Sequence, residues 1–286
     1  MTKIVSQTKT PIAIFDSGYG GLTVLERIRA LLPEYDYIYL GDNARNPYGT
    51  RSFDIVYQYT LQAVRKLIDM GAPLTILACN TASAKALRTI QQNDLPRINS
   101  SLRVLGVIRP SVEAIGHLTK TKHVGIFGTP GTINSQSFPI EIAKLWDEIK
   151  VFQQACPMWV PLIESGEYIE KGANYFVEKY LTELLARDPL IDTIILGCTH
   201  YPLLQPKIED FLANRNCNIS VIAQGDIVAN SLQDYLRRHP EIDLRVKANN
   251  NQSASVIYLT TESAKKFSES ASIFLADPVE AQHIEL

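Results

Sequence analysis

The chain alternates short apolar runs with longer segments whose apolar positions recur every three or four residues. "PIAIFDS" (Pro11–Ser17) is a run of β type that ends in glycines, and "LTVLERIRALLP" follows with helical spacing and stops at Pro33. "YDYIYLGD" predicts a strand ending at Asp42. "SFDIVYQYTLQAVRKLIDMG" predicts an amphipathic helix with Ser52 as its cap and Gly71 as its stop. "PLTILAC" and "RVLGVI" (Arg103–Ile108) are the next strands, and Pro110 is suited to open the helix after them. A second round begins at "HVGIFG" (His123–Gly128). It runs through "KVFQQAC", a helix around Asn174–Ala186 and "IDTIILGC". Then come a helix at Leu203–Ala213, the strand "ISVIAQ" and the helix "DIVANSLQDYLRRH". The tail adds the strand "SVIYLT" and an amphipathic helix near Ser263–Leu275.

Alternation of β and α over this length implies parallel sheets flanked by helices, and strands apolar nearly throughout are those with both faces covered. A chain of 286 residues suits one large or two modest domains, and two βα arrays favour two. The expectation is therefore α/β, with two doubly wound parallel-sheet domains. The break falls near Arg109–Pro110 and the return near Val221, so that residues 1–108 with 222–286 form one domain and 109–221 the other. "KANNNQSAS" (Lys247–Ser255) is polar and predicts a surface loop. "MTKIVSQTKT" lacks the apolar core and cleavage site of a signal peptide and predicts the frayed tail of a cytoplasmic protein. The apolar runs are too short to span a bilayer. A net charge of −2 leaves no electrostatic footprint for nucleic acid or an anionic membrane, so neither is an expected partner.

In open α/β sheets, ligands sit beyond the carboxyl ends of the strands. That rule selects Asp16–Gly21, Gly41–Gly49, Cys79–Ser83 and Cys198–Tyr201. Two of these segments look alike. "ILACNTASA" (Ile76–Ala84) and "IILGCTHYPLL" (Ile194–Leu204) each climb an apolar run, reach a cysteine and break into a helix-like segment. A lone free cysteine is most often a buried apolar residue. Here Asn80 and Thr81 stand beside one thiol and Thr199 and His200 beside the other, at helix starts that favour a thiolate or an anionic ligand. Two such turns make coincident packing the weaker explanation, and facing domains would let them meet across a cleft.

The other candidates are plainer. Cys156 and Cys217 lack such neighbours and read as structural. His117, His123, His239 and His283 read as surface residues. No C-x-x-C occurs, so neither a metal site nor a redox pair is expected. "DSGYGG" (Asp16–Gly21) fails the dinucleotide fingerprint because Thr23 stands where the third glycine belongs, and there is no phosphate-binding G-x-x-x-x-G-K-[ST]. It remains a glycine turn or a ligand loop, with Asp16 and Ser17 at the strand end favouring the ligand. Glu164, after "VPLI", is either a helix-start carboxylate or a carboxylate near the cleft.

Two thiols suit one kind of chemistry in particular. One base cannot easily invert a stereocentre by serving both faces of a carbon without moving, whereas two bases flanking it can, each serving as acid in the reverse direction. Thiols, with an ordinary pKa of about 8.5, reach both protonation states near neutrality after modest tuning. The sulfurs must also stand too far apart to close a disulfide, which needs Cβ atoms within about 4.5 Å. A cysteine hydrolase using Cys198 with His200 is the alternative, and it leaves the second turn unused.

"IFDSGYGGLTV", "GDNARNPYG", "ACNTASA", "GVIRPS", "GIFGTPGTINS", "ACPMWVPLIESGE", "LGCTHYPLL" and "YLTTESAKKF" occur here in that order. Together they resemble the bacterial glutamate racemases of the aspartate/glutamate racemase family. The resemblance implies cofactor-independent interconversion of L- and D-glutamate, with D-glutamate going to peptidoglycan. It also implies two pseudosymmetric, flavodoxin-like domains with the site between them, and a homodimer. By the same resemblance, Cys79 acts on D-glutamate and Cys198 on L-glutamate, while Asp16, Glu164 and His200 assist proton transfer. Ser17, Asn80, Thr81, Thr132 and Thr199 would hold the amino and carboxylate groups, and Pro47, Tyr48 and Gly49 would meet the side-chain carboxylate. Arg45 lies close to that loop. One departure concerns Gln224, Gly225 and Asp226, since the family often shows an Asp-Ser pair after Val221 where this chain reads "AQGDIV". A racemase for aspartate or another amino acid on the same fold and a non-catalytic α/β binder of an anionic small molecule are the rival readings.

Overall fold

The computed structural model describes residues 10–247 and 255–286. Most of "MTKIVSQTKT" and of "KANNNQSAS" lies outside them. Ten strands occur among the described residues. They are β1 (Ile12–Asp16), β2 (Tyr37–Gly41), β3 (Leu74–Leu77), β4 (Arg103–Gly106), β5 (His123–Gly128), β6 (Lys150–Ala155), β7 (Thr193–Gly197), β8 (Ser220–Ile222), β9 (Val256–Thr260) and β10 (Ala281–His283). They form two sheets, in the orders β10-β9-β2-β1-β3-β4 and β6-β5-β7-β8, and every pairing is parallel. The fold is two doubly wound α/β sheets, as the alternating pattern predicts. β1, β2, β3 and β7 are buried along their whole length, which is why they read as unbroken apolar runs.

Strand order decides where the chemistry can sit. In the first sheet the chain leaves β1 for β2 on one side and then places β3 on the other. In the second it leaves β5 for β6 and then places β7 on the other side. Each sheet therefore has a switch point, where helices diverge to opposite faces and leave a crevice beyond the carboxyl ends. Asp16 and Cys79 border the first crevice, and Thr129 and Cys198 border the second. The two thiols occupy equivalent places because each follows the second strand of its switch.

Local signals act where the sequence puts them. The Ser52 hydroxyl accepts from the Ile55 N–H at 3.3 Å, and Gly71 ends that helix region at φ +92°. The helix Ile108–Leu118 begins two residues before Pro110, which sits in the first turn, where a missing N–H costs nothing. The helices Pro130–Asn134 and Trp159–Glu164 are too short to show a period, and β10 adds three residues at a sheet edge. None of these three is predicted from the pattern. The helix Gly225–Arg238 follows β8 of the second sheet and packs on the helix Leu22–Leu31 of the first. One apolar cluster runs continuously from Ile14 and Tyr39 through Trp159 and Tyr201 to Leu184.

His123 is not a surface residue. It opens β5, which lies between β6 and β7, and it is 8% exposed. Its Nδ1 pairs with Asp188 Oδ1 at 2.9 Å and its ring stacks on Phe152. Among the described residues no helix is long and apolar enough to cross a membrane.

Candidate active site

A cavity of about 570 Å³ opens between the carboxyl ends of the two sheets. Cys79, Asn80 and Thr81 line it from the turn after β3, and Cys198, Thr199 and His200 line it from the turn after β7. The two cysteine turns, over a hundred residues apart in the chain, thus share one cavity. Cys79 caps the helix Asn80–Lys85: its sulfur accepts from the Ala82 N–H at 3.5 Å and lies 3.4 Å from Ser17 Oγ. Cys198 Sγ lies 3.9 Å from His200 Nδ1, and His200 Nε2 lies 2.9 Å from Glu164 Oε1. Glu164, which spacing alone leaves open, is in the wall and is held by Asn46 Nδ2 at 2.9 and 3.2 Å.

Burial pushes the Cys79 thiol up to about 12; the nearby Asp16 carboxylate adds to the rise, and contacts from Ser17 and the Ala82 N–H pull it back. Burial alone would lower His200. Its hydrogen bonds to Cys198 and Glu164 outweigh that and carry it up to about 10. At neutral pH His200 is therefore an imidazolium, with Cys198 Sγ on one side and Glu164 Oε1 on the other. Asp16 is raised by burial, against the opposing charge of His200 and bonds from Gly18 N at 2.8 Å and Thr199 Oγ1 at 3.3 Å.

The raised His200 pKa has a consequence for stability. A histidine whose folded pKa stands above the ordinary value of about 6.5 binds its proton more tightly when folded, and stabilises the fold fully below that value. The contribution is lost as pH rises through about 10. The urea midpoint of the wild type should fall more steeply between pH 7 and pH 10 than that of His200→Asn. Parallel pH curves for the two proteins would refute the imidazolium assignment.

The remaining candidates divide into wall and support. Ser17 and the loop residues Pro47, Tyr48 and Gly49 line the cavity. Asp16 and Thr132 do not. Asp16 is fully buried and holds Thr199, while Thr132 stands behind Thr81 and Thr129 in a hydroxyl trio with separations of 2.9 to 3.3 Å. Arg45 is turned away, toward Asp42, Gln62 and the Tyr59 ring. Gly49 O accepts from Gly131 N at 2.7 Å, which joins the loop of the first sheet to the short helix after β5. "DSGYGG" is explained by close approach: a Cβ at Gly20 would lie 2.4 Å from both His200 Nδ1 and Thr199 Oγ1.

The model of the Asp/Glu/Hydantoin racemase family matches residues 22–232, a stretch that includes both cysteine turns and Glu164. The chain belongs to that family. As a family member it is a racemase, an isomerase. It is 39% identical over 279 residues to the glutamate racemase of Roseobacter denitrificans, covering 94% of this chain and 98% of that one. A glutamate racemase isoform from Bacillus anthracis superimposes with a TM-score of 0.86 at 31% identity, over 97% of this chain and 98% of the other. The glutamate racemase from Francisella tularensis, solved in complex with D-glutamate, superimposes with a TM-score of 0.84 at 29% identity and the same coverage.

This racemase has site residues that sequence reasoning passed over. Asn46 carries Glu164, and Tyr39 OH donates to Gly18 O at 2.9 Å beneath the glycine turn. Cys156, read as structural, is buried and also lines the cavity. The tail helix Ala264–Ala271 brings Lys266 and Ser270 to the cavity from the far end of the chain. Asn46 was within reach, since it sits inside "GDNARNPYG". Cys156 sits inside "ACPMWVPLIESGE" and Lys266 inside "YLTTESAKKF", but their local spacing does not mark them as wall residues, and Ser270 lies in no such stretch; only the packing of distant elements brings the three to the wall.

Proposed function

We propose that the chain interconverts L- and D-glutamate by two-base proton transfer at Cα, with no added cofactor. The observation that carries this is the pair of buried thiols, presented by equivalent turns of two facing sheets to one cavity. In the L-to-D direction the Cys198 thiolate takes the α-proton and becomes a thiol. The Cys79 thiol then gives its proton to the opposite face of the carbanion and becomes the thiolate. The reverse direction exchanges the roles. The imidazolium of His200 lies 3.9 Å from Cys198 Sγ, where it orients the sulfur and offsets negative charge there, and Glu164, anchored by Asn46, holds that imidazolium charged and oriented. In the L-to-D direction the elevated Cys79 keeps its proton until a carbanion can receive it.

Substrate placement follows from the same walls. Ser17, Asn80, Thr81 and Thr199 offer neutral donors and acceptors for the amino and α-carboxylate groups, with Thr132 supporting Thr81 and Asp16 supporting Thr199. The Pro47–Gly49 loop faces the side-chain carboxylate. No arginine lines the cavity among the described residues; its cationic groups are the His200 imidazolium and Lys266. Glutamate is preferred over aspartate because the relatives similar over nearly the full chain are glutamate racemases, one of them solved with D-glutamate. By the same likeness the D-glutamate serves peptidoglycan synthesis in the cytoplasm, and the domains divide as 1–108 with 222–286 against 109–221.

The test is a circular-dichroism time course with reduced protein and L-glutamate, then D-glutamate, with L- and D-aspartate alongside. Decay of both glutamate signals and not of the aspartate signals is expected. A flat glutamate trace from folded protein would overturn the assignment, and decay of aspartate in its place would move the substrate to aspartate.

A further inference from the structure

Gln224 lies immediately before the helix Gly225–Arg238, at the stretch where this chain departs from the family's usual Asp-Ser pair. It is 3% exposed and joins elements that come from both halves of the fold. Its Nε2 donates to Ser111 Oγ at 2.7 Å and to the Val107 carbonyl at 3.3 Å, and its Oε1 accepts from Asn80 Nδ2 at 2.6 Å.

The direction of this chain of bonds is forced. The Val107 carbonyl carries no hydrogen and can only accept. The Ser111 hydroxyl gives its own proton to that same carbonyl at 2.9 Å, so toward Gln224 it too accepts. Gln224 must therefore turn its nitrogen to these two groups and its oxygen to Asn80. An amide oxygen only accepts, so Asn80 must turn its nitrogen inward. What remains is Asn80 Oδ1, which is buried and has no partner within the protein, on a residue that lines the cavity beside Cys79. Buried polar atoms are rarely left without a partner, and those that are call for an explanation.

We propose that Gln224 is a positioning residue that fixes the amide of Asn80, so that Asn80 offers the substrate's ammonium group an acceptor and never a donor. This rests on the reading of the cavity as an amino-acid site. An Asn80 free to turn over would present its own NH₂ to the ammonium for part of the time and repel it. The bond acts on substrate and carbanion alike, so its loss weakens binding more than the chemical step.

The experiment is a double-mutant cycle on the full chain, with KM and kcat measured for both glutamate enantiomers. Gln224→Met keeps the volume and removes both hydrogen-bonding ends. It should raise KM about tenfold, as losing a hydrogen bond to a charged group does, with kcat little changed. Asn80→Ala should do the same, and Asn80→Ala with Gln224→Met should be no worse than Asn80→Ala alone. Ser111→Ala removes one of the two anchors of Gln224. It should give a smaller rise in KM that also vanishes in the Asn80→Ala background, which keeps the test open should Gln224→Met not fold. Effects of Gln224 or Ser111 variants that multiply with Asn80→Ala, or that fall on kcat with KM unchanged, overturn the positioning role while an active wild type leaves the racemase assignment standing. A wild type that racemises neither enantiomer removes the assignment and this proposal together.

Discussion

Cys79→Ala and Cys198→Ala are each expected to lower kcat/KM for glutamate racemisation by about a thousandfold or more, in both directions. Loss of one positioned acid or base typically costs 10²–10⁴. The proposed two-base mechanism uses both thiols in every turnover, so the two losses should be of similar size even though the thiols differ in surroundings. Cys79 is capped and contacted by Ser17, whereas Cys198 is paired with an imidazolium. Cys156→Ala is the matched control, since Cys156 lines the same cavity but has neither a helix-cap position nor a histidine partner. It should keep most of the activity. Separate polarimetric assays from each enantiomer check the set. A hydrolase-type site using Cys198 and His200 would instead leave Cys79→Ala active, and a binding protein would show no turnover to lose while keeping its affinity in both variants.

Gly20→Ala should be the most damaging change that alters no reacting group. The new methyl carbon would lie 2.4 Å from His200 Nδ1 and from Thr199 Oγ1, far inside contact distance. Neither neighbour is free to move. His200 is 3% exposed and tied to Glu164, and Thr199 is tied through its hydroxyl to Asp16 and through its carbonyl to Thr23. Overpacking a filled site costs about 1–3 kcal/mol. Displacing His200 or Thr199 by about 1 Å should lower activity roughly a hundredfold. Both effects are read from kcat/KM and from a urea midpoint. Gly172→Ala, in a helix start with nothing within 4 Å of the added carbon, should leave both unchanged or raise stability slightly. Wild-type activity in Gly20→Ala would mean that the glycine turn does not press on His200 and Thr199.

The alternating apolar pattern is enough to predict the two sheets, because in a doubly wound fold each buried strand must be apolar on both faces and each helix on one. Short elements such as Pro130–Asn134 and Ala281–His283 escape it, since they span too few residues for a period to register. The thiol turns are legible for a related reason. A cysteine, an amide and a hydroxyl packed into three residues at a strand end form a local arrangement, and the Cys79 cap is made within that helix itself.

The sequence by itself determined the order of the main strands and longer helices, the two thiol turns and the family to which the chain belongs. Only the tertiary structure decided what those turns face. The elevated thiol of Cys79 depends on burial and on Asp16 at the end of another strand, and the imidazolium of His200 depends on Glu164 from a separate helix as well as on its neighbour Cys198. His123 is internal because β6 and β7 flank its strand, which its own neighbours in sequence do not reveal. Asp16 reaches Thr199 across 183 residues and Gln224 reaches Asn80 across 144. Periodicity and spacing describe what a residue does to its neighbours along the chain. Charge state, amide orientation and access to a cavity are set by whatever folding brings alongside.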